Sequence, residues 1–328
     1  MHVEMYERFL KETFDLRVER QKEGFIESGV LIDRNSGASA PVRNYIPRFC
    51  DEGYCESFGV QWYKFRSLQI DSKSGRGESH DRLVRNTRWD LGTMAGKAVL
   101  ECGCGPGRFT EHFLSSGAFV VAVDMSRAVD VNLENNTKMR RNLLLIQQDI
   151  SRMPFLYGKF DFVFCYGVLQ HTPDPRKTYY DLTKHVRRGG RISVDIYRKM
   201  ILPTGWTSPK YLWRPMTRKM SKERLLRMVT WYIPKYIDVD SIVRRIPKLG
   251  VYMTGLIPIP CWNYLDRGYS RTERIQHAIM DTFDALSPEH DHPAKIQEVK
   301  RWLVEHSELT DVEVFYGSNG IVANARKE

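Results

Sequence analysis

From residue 97 onward, short and largely apolar runs alternate with stretches whose apolar residues recur every three or four positions. Runs at 98–102, 119–124, 143–147, 160–165 and 191–197 each read as a strand buried on both faces. Between them, Phe109 and Phe113 lie about one helical turn apart, and Gly117 follows as a left-handed stop. Ser126 is a good N-cap for a helix reaching about residue 136. Asp174 and Pro175 open another helix, with Leu182 and Val186 inward and Gly189 as its stop. A helix at 294–306, with Ile296, Val299 and Leu303 on one face, precedes closing strands at 311–316 and 320–326. These seven strands predict an α/β fold: a mostly parallel sheet with helices on both faces and its ligand at the carboxyl ends of the strands.

Two regions fall outside the alternation. An N-terminal extension or lid, 1–95, holds a helix-like stretch (Tyr6, Phe9, Leu10, Phe14), a polar loop at 33–39 and an aromatic stretch at 58–70. The core spans 96–197, a helical cap at 198–290 is inserted after the fifth strand, and 291–328 complete the core. In the insertion, Trp206, Tyr211, Trp213, Trp231, Tyr264 and the stretch DTFD at 281–284 either line an acceptor pocket or form the subdomain's own core.

Composition adds limits. With 328 residues, 42% hydrophobic and 27% charged, the chain can bury a full core. It has no apolar run of the length a transmembrane helix needs, about 18 residues or more. The charged N-terminus lacks the apolar centre of a secretion signal, which points to the cytoplasm. The cysteines at 50, 55, 102, 104, 165 and 261 form no CxxC pair, so no metal site is expected. The formal charge is +10, and residues 198–248 hold 13 Lys or Arg against three acids, so the whole excess lies there. That segment is either a solvated helical face, an attractor for an anionic small-molecule acceptor, or a contact for an anionic membrane surface. No nucleic-acid-binding module is recognisable, which argues against a nucleic-acid partner.

The chemistry concentrates in VLECGCGPGRF, where Gly103, Gly105 and Gly107 sit between a strand and a helix. Such a turn offers free backbone N–H groups to a ligand. A dinucleotide fingerprint requires G-x-G-x-x-G, and Arg108 stands where its third glycine belongs, so nicotinamide cofactors should not bind. Asp124, at the end of the second strand, suits the vicinal diol of any adenosine ribose.

The stretch resembles the nucleotide-binding motif E/D-x-G-x-G-x-G of class I S-adenosylmethionine-dependent methyltransferases, matched at all four defined positions by residues 101–107. VVAVDMS, QQDISRMPF, FDFVFCYGVLQHTPDP and RRGGRISVDIY are similar to the motifs that follow in that family, in order. The resemblance covers 97–197 and the closing strands, and it implies a Rossmann-like core with S-adenosylmethionine as cofactor.

It also implies roles. Asp124 would accept both ribose hydroxyls, and Met125 would pack on the adenine. Asp149 would take the exocyclic amine, unless it is a solvated turn residue, and the Ile150 N–H a ring nitrogen. Glu101 would hold the ammonium group or order the glycine loop. Tyr166 would pass beside the sulfonium and present its ring face, or else pack in the core. His171, at the start of the next loop, is the candidate catalytic base, with a structural role as the other reading. The stretch SFGVQWYKFRS resembles a segment of bacterial members that act in glycan and natural-product clusters, without the metal ribbon some of them carry; Trp62 and Arg66 would close over the cofactor or simply pack.

Small-molecule methyl transfer is the implied activity. Two other readings stay open at this level: transfer or cyclisation of the aminocarboxypropyl arm, and a non-catalytic binding subunit.

Overall fold

The computed structural model describes all residues except 51–63, 154–156, 200–209, 248–256, 258 and 307. Trp62, Trp206 and Cys55 therefore lie outside the described residues.

The five apolar runs fold as β5 (Ala98–Cys102), β6 (Phe119–Asp124), β7 (Leu143–Gln147), β8 (Phe160–Cys165) and β9 (Val186–Ile196). The closing pair is β10 (Leu309–Gly317) and β11 (Gly320–Lys327), and the sheet order is β10-β11-β9-β8-β5-β6-β7. β11 runs antiparallel to both neighbours, and the other pairings are parallel. Helices α3 (Thr110–Ser115), α4 (Ala128–Asn135), α5 (Pro175–Thr183) and α9 (Ile296–Val304) connect or cover the strands. The apolar side chains separate into two layers, one holding Phe160, Tyr179, Leu182 and Val186, the other Phe113, Phe164, Val129 and Trp89.

Local signals explain the ends of these elements. Asp174 caps α5 by accepting the Lys177 N–H, with Pro175 at the first position. Gly117 has φ +79° just beyond α3, as its place in the sequence suggested. Ser126 accepts the Ala128 N–H one residue before the helix proper, whose N-cap is Arg127. Gly189 is not the stop of α5, which ends at Thr183; it lies inside β9, as does Val186. There β9 slips register on β8, and a Cβ on the adjacent Gly190 would meet the Phe160 carbonyl oxygen at 2.9 Å. The glycine pair permits that close crossing.

The extension differs most from expectation. Of its helix-like first stretch only Val3–Phe9 (α1) is helical; Phe14 opens β1 (Phe14–Lys22) of a four-stranded antiparallel sheet with β2 (Phe25–Asp33), β3 (Ser39–Arg43) and β4 (Ile46–Pro47). Phe9 stacks on Phe160 at 5.6 Å, which fixes this unit to one layer of the main sheet. Just beyond β4, the Phe49 N–H donates to Gln147 on the edge strand β7. Helix α2 (Glu78–Thr87) then leads towards β5.

The insertion is helical: α6 (Lys210–Thr217), α7 (Lys222–Arg244) and α8 (Arg271–Leu286). Leu225, Val229, Ile233 and Ile237 recur every fourth residue along α7 and are fully buried in a cluster with Ala278, Ile279 and Phe283 of α8. The last carbonyls of α8 take side-chain donors: Arg214 reaches Ala285 and Pro288, Thr217 reaches Leu286, and Lys222 reaches Ser287. Arg214 and Lys210 also approach Asp291. These cations thus hold the cap together. Replacing Arg214 with Gln should destabilise the protein by about 1–3 kcal/mol, read as a lower urea midpoint by circular dichroism. An unchanged midpoint would contradict that role.

Candidate active site

The strand ends, α2 and the cap enclose a cavity of about 920 Å³, within the range of small-molecule sites. Gly103, Gly105, Asp124, Met125, Ile150, Tyr166 and His171 line it, so the packing brings these sequence-picked residues together. Glu101, Gly107 and Asp149 do not line it.

Three left-handed glycines shape the turn after β5, with φ of 74°, 50° and 94° at Gly103, Gly105 and Gly107. A Cβ on Gly103 would meet Val168 Cγ2 at 2.1 Å, and one on Gly107 would meet the Asn136 amide nitrogen at 2.6 Å. Gly103 and Gly107 thus admit neighbours from this same chain. The Gly105 N–H donates to Asp124 Oδ2 at 2.9 Å, while Asp124 Oδ1 accepts the Ser126 N–H and hydroxyl. The carboxylate is therefore held in place beside the turn, and burial raises its pKa above the usual carboxylate value.

Glu101 is buried behind the turn. Its carboxyl accepts from the Thr110 hydroxyl at 2.6 Å, and Thr110 accepts from Asn132. Burial pushes Glu101 up to about 8, so this side chain is largely protonated at neutral pH. The contacts it makes are those of a group that orders the start of α3. Asp149 is turned into a local cap, Oδ1 accepting the Ser151 N–H and hydroxyl.

Tyr166 is buried, its ring stacked on Phe164 at 4.2 Å and its hydroxyl 2.7 Å from Ser193, which donates onward to Asn324. The hydroxyl is thus committed, and the ring borders the cavity. His171 Nδ1 lies 3.0 Å from the His290 carbonyl, the geometry of an N–H donor. Burial lowers its pKa to about 4, which keeps the ring neutral.

Several cavity residues carried no clear signal in the sequence. Arg82, on α2, donates to Asp195 at 2.6 Å and lies 5.7 Å over the Tyr166 ring. Asp195 also accepts the Gly167 N–H, tying α2 to the ends of β8 and β9. Arg108 donates to the Ser79 hydroxyl and the Gln69 amide oxygen, both neutral, and burial lowers its pKa to about 10. From the cap come Trp262, Arg267, Tyr269 and His277, beside Asp281 and Asp284 of the DTFD stretch that the sequence offered. Among the insertion aromatics, Tyr211 and Tyr264 line the cavity, whereas Trp213 and Trp231 are exposed and do not. Ion pairs Arg76–Glu273 and Arg267–Glu78 join the extension to the cap beside it.

Among the described residues, one group could hold a metal: Asp71, Glu111 and His112. Its carboxylates already accept backbone N–H groups of Ser79, His80, Asp71 and Ser72. No helix of the described residues is long and apolar enough to cross a membrane.

Residues 100–194 match the family described as methyltransferase domain. The chain is 33% identical over 101 residues to a ubiquinone biosynthesis O-methyltransferase of Coxiella burnetii, covering 30% of this chain and 43% of that one. A protein of the same name from Pseudomonas aeruginosa is 33% identical over 120 residues, covering 34% and 50%. The chain thus spans about half the length of these curated relatives. Among solved structures, magnesium protoporphyrin IX methyltransferase from Synechocystis with bound S-adenosylhomocysteine aligns at 14% identity and TM-score 0.46, covering 84% of this chain and 98% of that one. A Burkholderia thailandensis 1,6-didemethyltoxoflavin-N1-methyltransferase aligns at 13% identity and TM-score 0.44, covering 95% and 99%. With its glycine turn, its strand-end acid and the family match over the same residues, the chain carries a class I S-adenosylmethionine-dependent methyltransferase domain, and S-adenosylmethionine is its cofactor.

Proposed function

We propose that the protein methylates a small molecule held between the core and the cap. One observation carries this reading: a single cavity runs from Asp124, Met125 and Ile150 at the strand ends to Tyr264 and Asp281 in the cap, with Tyr166 on its wall. The core end fits an adenosine. Asp124 accepts the ribose hydroxyls, Met125 and Ile150 flank the adenine, and Gly103 and Gly105 leave room for the remainder.

Bound S-adenosylmethionine supplies an activated methyl group. Transfer is an in-line displacement, so the protein acts mainly by positioning. Tyr166, on the cavity wall, would border the sulfonium, and His171 shapes the wall of the acceptor end. The acceptor end favours an anionic or readily ionised molecule, because guanidinium groups of Arg82, Arg108 and Arg267 converge on it. An acceptor among glycans or natural-product intermediates fits a cavity of this size and polarity.

Incubation with S-adenosylmethionine and a metabolite extract, followed by mass spectrometry of the nucleosides, tests the reading. S-adenosylhomocysteine is the expected product. Methylthioadenosine would mean that the aminocarboxypropyl arm reacts instead, and absence of both would mean a binding subunit. Thermal shifts with NAD equal to those with S-adenosylmethionine would contradict the site assignment itself.

A further inference from the structure

Asp281 lies on α8, half-buried on the wall of the cavity, with the Tyr264 hydroxyl donating to its Oδ2. Arg108 exerts the largest attraction of any cation upon it, followed by Arg267 and Arg82. Arg108 has no carboxylate at hydrogen-bond distance; its own donors go to the neutral oxygens of Ser79 and Gln69. A half-buried guanidinium on the cavity wall whose hydrogen-bond partners are neutral favours an anion on the ligand. We propose that the acceptor is a planar molecule bearing an acidic hydroxyl, a phenol or an enol, whose proton Asp281 removes while Arg108 holds the oxyanion that results. This rests on the methyltransferase reading and names its acceptor class and its base.

The surroundings select this class. Trp262, Tyr264 and Tyr269 offer aromatic surface to a flat ring. Arg82 and Arg267 are already paired with Asp195 and Glu78, which leaves Arg108, with neutral partners, as the cation facing the acceptor. His171 is poorly suited as the base, since its neutral form is the stable one down to about pH 4. Asp281 is raised by burial to about 6, so it is ionised at neutral pH yet basic enough to take a proton. His277, one turn earlier on α8, is lowered to about 4 and stays neutral. Asp284 and Tyr197 also face this end of the cavity, and the Tyr197 phenol stays neutral because burial and the carboxylates of Asp284 and Asp281 push its pKa up.

In the step itself, the acceptor O–H bond breaks and its proton passes to an Asp281 oxygen. The oxygen lone pair forms the new C–O bond as the S–CH₃ bond breaks. The S–CH₃ electron pair stays on sulfur, leaving a neutral thioether. The proton leaves Asp281 for solvent when product departs.

The experiment uses the full chain, methyl-labelled S-adenosylmethionine, and catechol, 4-nitrophenol and aniline as probes. Wild type should form methyl ethers of the phenols and little N-methylaniline. Its kcat/KM should rise with pH through about 6. Asp281→Asn should lose about 100-fold or more in kcat/KM, together with that limb, while S-adenosylhomocysteine affinity by calorimetry stays within twofold. Tyr264→Phe keeps the ring and removes a donor to the charged carboxylate, so, whatever its effect on rate, its limb should move to higher pH. This second variant decides the matter if Asp281→Asn does not fold. Preference for aniline, no ether from either phenol, or an Asp281→Asn enzyme within threefold of wild type would overturn the proposal. Failure of wild type to bind S-adenosylhomocysteine would instead overturn the methyltransferase reading.

Discussion

Replacing Asp124 with Ala should raise the dissociation constant for S-adenosylhomocysteine at least tenfold. The carboxylate stands at the end of β6, and its two oxygens already accept from Gly105 and Ser126. Each oxygen keeps lone-pair capacity for a ribose hydroxyl, and a hydrogen bond to a charged acceptor contributes about 1.5–3 kcal/mol. Alanine removes both acceptors and also frees the Gly105 N–H, so the turn loosens as the ligand contact is lost. Asp124→Asn separates the two effects, because it retains an oxygen for the turn but not the charge. Titration calorimetry of wild type and both variants reads the result. Equal affinity in all three would place the cofactor elsewhere.

Replacing Glu101 with Gln should change how stability depends on pH. The carboxyl is buried with the Thr110 hydroxyl as its hydrogen-bond donor, and burial lifts it from 4.5 to about 8. Between those values the unfolded chain has released a proton that the folded chain still holds. The stabilisation is therefore complete below about 4.5 and is lost as pH rises through about 8. Glutamine is neutral throughout and still accepts from Thr110. The variant should match wild type near pH 5 and exceed it near pH 8 by an amount on the order of a few kcal/mol. Urea unfolding at both pH values checks this. Coincident curves at pH 8 would show that Glu101 ionises within the fold without cost.

The parallel strands were legible because β5, β6, β7 and β8 are short runs dense in apolar residues, each broken off by polar or turn residues. The glycine turn was legible because three glycines at alternate positions have few other uses. The N-terminal sheet was not. β1 buries Phe14 and leaves Arg17, Glu19, Arg20 and Lys22 outward, so it lacks the period of two that marks a half-buried strand. In the site, residues on the repeating motifs could be placed by their spacing. Arg82 and Asp195 could not, because α2 and β9 meet only through tertiary packing; the DTFD stretch offered Asp281, but only the packing of α8 turns it to the cavity. Arg214 shows the same limit from the other side. Its charge invited a role with ligand, and its burial against the end of α8 gives it a structural one.

The cap leaves and rejoins the core at a single point. Arg198 and Ala294 form a parallel bridge, with Lys199 donating to the Ala294 carbonyl and Ala294 to that of Tyr197. Two chain positions nearly a hundred residues apart are thus pinned side by side at the end of β9. Because the cost of closing a loop grows only logarithmically with its length, the excursion between them can lengthen or shorten with little strain on the strands below. A foreign helical lobe grafted between these two residues would meet the same doorway, and acceptor preference could be exchanged while the nucleoside cradle stays untouched.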